Sequence, residues 1–299
     1  MTTTSLRPAS RRPATTQRRR PASPLRRLRF WARLVTALLI AVVFLGPVLY
    51  VVLISFETPA HFLTHPMTPP SSADLSNFSQ AWTGADLATE LINTVIYSVV
   101  AAAASTVLAL LIAFPLARRL VRGHRQLYTL LVAGLFLPLA YIPLFIEARL
   151  LDLYNNMPGY IILHVGFGPN LPLGVVLIYA FIQAVPIDLD EAAWLDGTGY
   201  LTYLFRVIVP LTRPALLISF LYGMLQVWND IIGPVVLFAG TSTNLFPITR
   251  GIYYFFGLNE SLYTIFAAAV TIASLPLIIV FAGTQRQLIR AAVAGSLKG

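Results

Sequence analysis

The chain has 299 residues, 57% of them hydrophobic and only 11% charged, with a formal net charge of +9 and no cysteine. A water-soluble chain carries about 25% charged residues, so this composition argues against a soluble globular protein and for one immersed in lipid. The lack of thiols excludes a disulfide scaffold, cysteine-held zinc or iron–sulfur sites and thiol catalysis.

In chain order, the first feature is basic. Ten arginines fall within residues 7–33, flanking the first apolar run. Anionic headgroups and the positive-inside rule account for such a cluster better than nucleic acid does. Residues 1–30, rich in Thr, Pro, Arg and Ser, are expected to form a disordered arm. The run 34–54 is too long for a signal-peptide core and lacks a small-residue cleavage site, so it is expected to be an uncleaved first helix.

Six stretches approach the length of about 20 apolar residues that crosses hydrocarbon: 32–54, 91–117, 127–149, 159–184, 213–239 and 262–284. The predicted class is therefore an all-α integral membrane protein with six transmembrane helices. Its transmembrane domain spans 31–290, and 291–299 form a short tail. The fourth stretch carries Gly166, Gly168, Pro169, Asn170 and Pro172, which predicts a short first half, a break, and a longer second half from Leu173. With the amino terminus inside, 19 of the 21 basic residues lie on the inner side and only Arg149 and Arg250 outside. The prediction is a multi-pass cell-membrane protein with both termini cytoplasmic. The outer loops, 56–90 and about 229–261, are too small for independent cores.

Residues 186–215 read PIDLDEAAWLDGTGYLTYLFRVIVPLTRPA, a long excursion for a chain that keeps little polar surface. Two short amphipathic helices are predicted here. Asp188 and Glu191 stand in the spacing of a capping box at the start of the first, and Gly197 permits the turn that ends it. Leu201, Leu204, Phe205 and Ile208 line one face of the second, and Pro210 and Pro214 mark where the fifth span begins. On pattern alone this is either a docking surface or a helix pair lying on the membrane.

The order Glu191-Ala192-Ala193, three residues, Gly197, then Pro210 resembles the EAA loop of binding-protein-dependent ABC importer permeases. Val207 and Val209 stand where that family usually has isoleucine and leucine. Asn93-Thr94, the run Phe114-Pro115-Leu116-Ala117-Arg118 and the string Trp228-Asn229-Asp230 are similar to the same family. The ending Ala294-Gly295-Ser296-Leu297-Lys298-Gly299 resembles its carbohydrate branch, the maltose-type second permease subunit. The string Tyr154 to Tyr160, YNNMPGY, departs from the sugar-permease pattern. The resemblance covers about residues 31–299. It implies a type I ABC importer permease fold with cytoplasmic EAA coupling helices and a core at 89–285.

The resemblance also implies partners: a second permease subunit in a heterodimer, cytoplasmic ATP-binding subunits, an external solute-binding protein, and surrounding lipid. Glu191, Ala192, Ala193, Asp196, Gly197 and Pro210 would dock the ATPase. Independently, a phosphate-binding loop needs a lysine on the nucleotide, and the chain's lysine is Lys298. ATP hydrolysis must therefore come from a partner. The implied function is a permease subunit of an ATP-driven importer of a sugar or oligosaccharide.

Tyr222, Gln226 and Asn229 recur at helical spacing and are candidates either for solute contact or for helix–helix hydrogen bonds. Glu147 and Arg149 lie at the outer end of the third span. The alternatives are an ABC permease for a non-sugar solute, a self-contained channel or secondary transporter, and a membrane enzyme. For the last, the four histidines at 61, 65, 124 and 164 are scattered, and proline around His61 and His65 argues against a helix there. No catalytic residue, metal site, cofactor or nucleic acid is expected.

Overall fold

The computed structural model describes residues 24–70, 72–137, 140–238, 243–258 and 262–296. The chain divides into two units, Met1–Tyr50 and Val51–Gly299. The arm expected at 1–30 lies largely outside the described residues. Its last seven positions are already helical, in α1, Pro24–Ile54. Proline suits a helix start, where its missing N–H costs nothing. From Leu34 onward α1 is apolar nearly all round, with Val42, Val43 and Phe44 each at least 67% exposed, as a lipid-facing span requires.

In the second unit the first helices are α2 (Pro59–Thr64), α3 (Ser76–Gly84), α4 (Leu87–Ala117), α5 (His124–Gly134) and α6 (Tyr141–Leu150). Then come α7 (Met157–Phe167), α8 (Asn170–Gln183), α9 (Asp188–Leu195) and α10 (Tyr200–Tyr203). A π-helical turn, Leu204–Ile208, leads into α11 (Val209–Trp228), followed by α12 (Ile232–Leu237), α13 (Ile248–Leu258) and α14 (Tyr263–Ser296). Every described element is helical.

Among the described residues, four helices are long and apolar enough to cross a membrane: Phe30–Ile54 within α1, α4, the continuous Tyr200–Trp228, and Tyr263–Leu288 within α14. The pair α7 and α8, bent by 47°, makes a fifth if counted as one span. Its second half starts at Asn170 rather than at Leu173. Pro172 thus sits in a first helical turn, where its lack of an N–H is tolerated. The third predicted span is instead two helices of 11 and 10 residues, each too short alone for about 30 Å of hydrocarbon.

The fifth predicted span is displaced. Its helix begins at Tyr200 and ends at Trp228 rather than running 213–239. The predicted second amphipathic helix is therefore the start of this span. A helical proline ring collides with the carbonyl four residues back. Here the turn before Pro210 is widened, and the Val209 N–H reaches Leu204 O, five residues back. The helix consequently continues through the proline. Only half of the predicted apolar face is covered: Leu204 and Ile208 are buried, but Leu201 and Phe205 are 60% and 53% exposed. A proline likewise did not prevent α2, because Pro59 is at its start. His61 lies within it and pairs with Glu57.

The bundle forms around α4, which packs chiefly against α8 and α11. One side of α4 is lined by Ala101, Ala102, Ser105, Ala109 and Ala113, none more than 2% exposed. Small residues allow close backbone approach where lipid provides no hydrophobic drive between helices. A Cβ on Gly174 of α8 would lie 2.6 Å from Ser219 Oγ of α11 and 3.0 Å from Ala109 Cβ. That position therefore admits hydrogen only.

Side-chain amides and hydroxyls secure the connections at the amino-terminal end of α4. Asn93 Nδ2 donates to Asn244 O and Phe246 O at 2.7 and 3.1 Å. The Tyr97 hydroxyl donates to Leu245 O at 2.7 Å, and the Ile248 N–H donates to Thr94 Oγ1 at 2.8 Å. Asn77 joins the Ser55 and Glu57 carbonyls to Thr264 of α14. Buried polar backbone is thereby satisfied where regular structure stops.

Candidate coupling site and solute pathway

The α9 element stands at the carboxy-terminal end of α4. Its expected capping box does not form: the cap position is Ile187, with no side-chain hydrogen bond to the helix start. The acidic residues serve otherwise. Asp190 turns inward, whereas Asp188 and Glu191 are exposed, near a helix amino terminus that favours negative charge.

The end of α9 follows from Gly197. Its φ is +68°, a conformation that glycine adopts without a Cβ penalty. The Gly197 N–H bonds to Trp194 O at 3.0 Å and the Thr198 N–H to Ala193 O at 2.9 Å, which is a Schellman ending. The chain then reverses into α10.

Inward of α9 lies a buried ionic knot. Arg118, at the end of α4, has Nε 2.7 Å from Asp190 Oδ2 and donates from Nη2 to Asp190 Oδ1 at 3.0 Å. Its Nη1 donates to Val185 O at 3.1 Å, between α8 and α9. The Tyr203 hydroxyl also donates to Asp190 Oδ1. The Phe114 ring packs edge-on against Tyr200, with centroids 5.1 Å apart. A groove of about 540 Å³ opens beside the knot, lined by Phe114, Arg118, Ile187, Glu191, Trp194 and Tyr200 among others.

Of the six predicted docking residues, Glu191, Ala192, Asp196 and Gly197 are all exposed on this one element. Ala193 is half-buried and packs on the core around Ala113, Phe114 and Ile182. Pro210 is elsewhere, on the long helix after the π turn. Exposed apolar side chains complete the outer face of α9: Trp194 is 69% and Leu195 89% exposed. Asp196 caps the carboxy-terminal end of α9, where negative charge opposes the helix dipole.

The three predicted solute-pathway residues are not gathered into one cavity. Gln226 lines a small void of about 10 Å³ with Ser105, His164, Asn170 and Gly223, about the space of one water. Tyr222 is half-buried one turn away. Asn229 donates to Leu225 O at 2.8 Å and closes the end of α11.

Sequence reasoning missed the residue that organises this region, Asp230. It accepts from the Tyr160 hydroxyl at 2.9 Å and lies 3.0 Å from His164 Nε2, both on α7. Its Oδ1 accepts the Gly233 N–H of α12 at 2.9 Å, and its carbonyl accepts the Thr249 hydroxyl of α13, also at 2.9 Å. The available signal was a carboxylate directly after the apolar run of the fifth span. Glu147, at the rim of a second cavity of about 480 Å³, is exposed.

This arrangement matches known proteins. Residues 105–293 fit the family described as binding-protein-dependent transport system inner membrane component. The chain belongs to this family. Permeases of this kind include the diacetylchitobiose uptake system permease protein NgcG of Streptomyces coelicolor, 30% identical over 276 residues that cover 90% of each chain. Another is the melibiose/raffinose/stachyose import permease protein MelC of Bacillus subtilis, 28% identical over 77% of this chain and 83% of its own. The fold is also that of a chain in the crystal structure of a bacterial ABC transporter involved in the import of the acidic polysaccharide alginate. The TM-score is 0.76 at 22% identity, over 89% of this chain and 99% of that one. The protein is thus a membrane permease subunit of an ABC importer, not an enzyme.

Proposed function

We propose that this permease imports a sugar or oligosaccharide, with α9 as the element that docks a cytoplasmic ATP-binding subunit. The observation that carries the docking is the uneven burial of α9: Asp190 and Ala193 are half-buried, whereas Glu191, Ala192, Trp194 and Leu195 are exposed. An exposed carboxylate beside a small residue and two large apolar groups is a surface suited to burial by another protein.

In this proposal six spans cross the cell membrane, the α5–α6 pair and the α7–α8 pair each serving as one. Both termini are cytoplasmic, as the distribution of basic residues favours. A second permease subunit forms the other half of the pathway, and an external solute-binding protein delivers the solute. Closure of the ATP-binding subunits drives alternating access through α9. The sugar assignment rests on what the relatives' names say they import. Tyr222, Gln226 and Asn229 are proposed to line the path from their half of the fifth span.

Co-expression with the second permease and the ATP-binding subunit tests this. Wild type retains the ATP-binding subunit through purification, and Glu191→Arg and Gly197→Trp lose it while still inserting and pairing. Equal retention by all three proteins removes α9 as the docking element. In proteoliposomes, the complete complex accumulates a labelled disaccharide; accumulation of phosphate or a polyamine instead overturns the sugar assignment.

A further inference from the structure

We propose that Arg118 is the positioning residue that carries movement of α9 into the bundle, acting as a rigid link between the docking element and α4. This rests on the docking proposed above and adds to it the route by which a push on α9 reaches the spans.

The argument begins with how little else holds α9. It is an eight-residue helix with most side chains exposed, including Leu189 at 42%, Trp194 at 69% and Leu195 at 89%. Its apolar attachment to the core is Ala193, a side chain of one carbon. Its side-chain polar attachment is Asp190. That carboxylate accepts one Arg118 N–H and the Tyr203 hydroxyl, and a second Arg118 nitrogen lies 2.7 Å from its other oxygen. It therefore joins three elements: α4, α9 and the stem of the long helix.

The chemistry of the link suits transmission. One hydrogen bond and a second close ionic contact from a guanidinium to the same carboxylate set direction as well as distance. The third contact, to Val185 O, prevents the plane from swivelling. The Arg118 side chain is 7% exposed and that of Asp190 16%, so water competes weakly for either partner. Arg118 follows directly on α4, the helix against which α8 and α11 pack. A displacement of α9 is thereby handed to the central helix of the bundle, with Tyr203 sending part of it to the long helix.

The test separates docking from transmission. Complexes with the partner permease and ATP-binding subunits are reconstituted with the solute-binding protein, and only monodisperse preparations are compared. Arg118→Gln and Asp190→Asn are expected to keep the ATP-binding subunit through purification yet lose at least tenfold in both solute-stimulated ATP hydrolysis and uptake. Because the chain has no cysteine, the Arg118→Cys/Asp190→Cys variant offers one addressable pair in this subunit. A short reducible bis-maleimide across that pair is expected to restore coupling to within about threefold of wild type, and cleaving the linker to abolish it again.

Uptake by the single variants within twofold of wild type overturns the proposal, and so does a bridged pair that stays uncoupled. Loss of the ATP-binding subunit from Arg118→Gln, with Glu191→Arg losing it as well, also overturns it by making Arg118 a support for docking alone. Retention of that subunit by Glu191→Arg strikes the docking proposal itself and is read separately.

Discussion

The two ends of α4 are built on opposite plans. At its amino-terminal end, buried side chains grip backbone: Asn93, Thr94 and Tyr97 hold residues 244–248 through four hydrogen bonds. Nearby, Asp230 binds α7, α12 and α13 together. At the carboxy-terminal end a single ionic knot holds a small helix whose outer face is bare. A region whose buried side chains hold its own backbone in this way is finished as a fold. A region that leaves Trp194 and Leu195 uncovered is finished only by a partner.

The contrast is sharpest when substitutions are ranked by their effect on the isolated chain. Gly174→Val, in the packed centre that both ends share, is expected to cost the most. Its new Cβ meets Ser219 Oγ at 2.6 Å and Ala109 Cβ at 3.0 Å, and overpacking of this kind costs about 3 kcal/mol. Size-exclusion profiles in detergent are expected to show little monodisperse protein; a wild-type profile would mean that α8 and α11 do not cross this closely.

Next comes Asp230→Ala, at the finished end. It strands the Tyr160 hydroxyl and the His164 ring beside an empty site, at a cost of about 2 kcal/mol. Thermal unfolding of the purified chain reads this as a lowered midpoint, and an unchanged midpoint would show the hub to be dispensable. Smallest for the chain alone is Leu195→Ser at the unfinished end. The side chain is 89% exposed, so stability stays within about 0.5 kcal/mol of wild type, while retention of the ATP-binding subunit falls severalfold. A stability loss equal to that of Asp230→Ala would erase the distinction between the two ends.

The same division governs what could be read before any coordinates. Long apolar runs and the break at Gly168 and Pro169 were legible because they follow from local hydropathy and backbone chemistry. Gly197 was legible for the same reason: its positive φ is a local demand of the turn. Proline misled in two places, at Pro59 and at Pro210. The ring's effect depends on whether it starts a helix or meets a widened turn, and the residue type alone does not say which. Asp188 and Glu191 had capping-box spacing, yet the helix began without a side-chain cap.

The contacts that give the site its geometry were not legible at all. Arg118 and Asp190 are 72 positions apart, and Asp230 lies 70 from Tyr160. No local spacing encodes such pairs. The residues themselves stood in noted strings, the first closing the second span and the other closing the fifth, but only as family likenesses.

The π turn at Leu204–Ile208 has a consequence for how the α9 region is aimed. An α-helix turns about 100° per residue, and a π turn holds one residue more than its α counterpart. Closing this turn to α geometry with all of its residues kept would instead swing everything upstream about 100° around the axis of the span. Tyr203 would leave Asp190, and Trp194 and Leu195 would point along a different azimuth. The bearing of the outer face is thus set by the residue count of one turn, as the tooth number of a gear sets where its mark comes to rest.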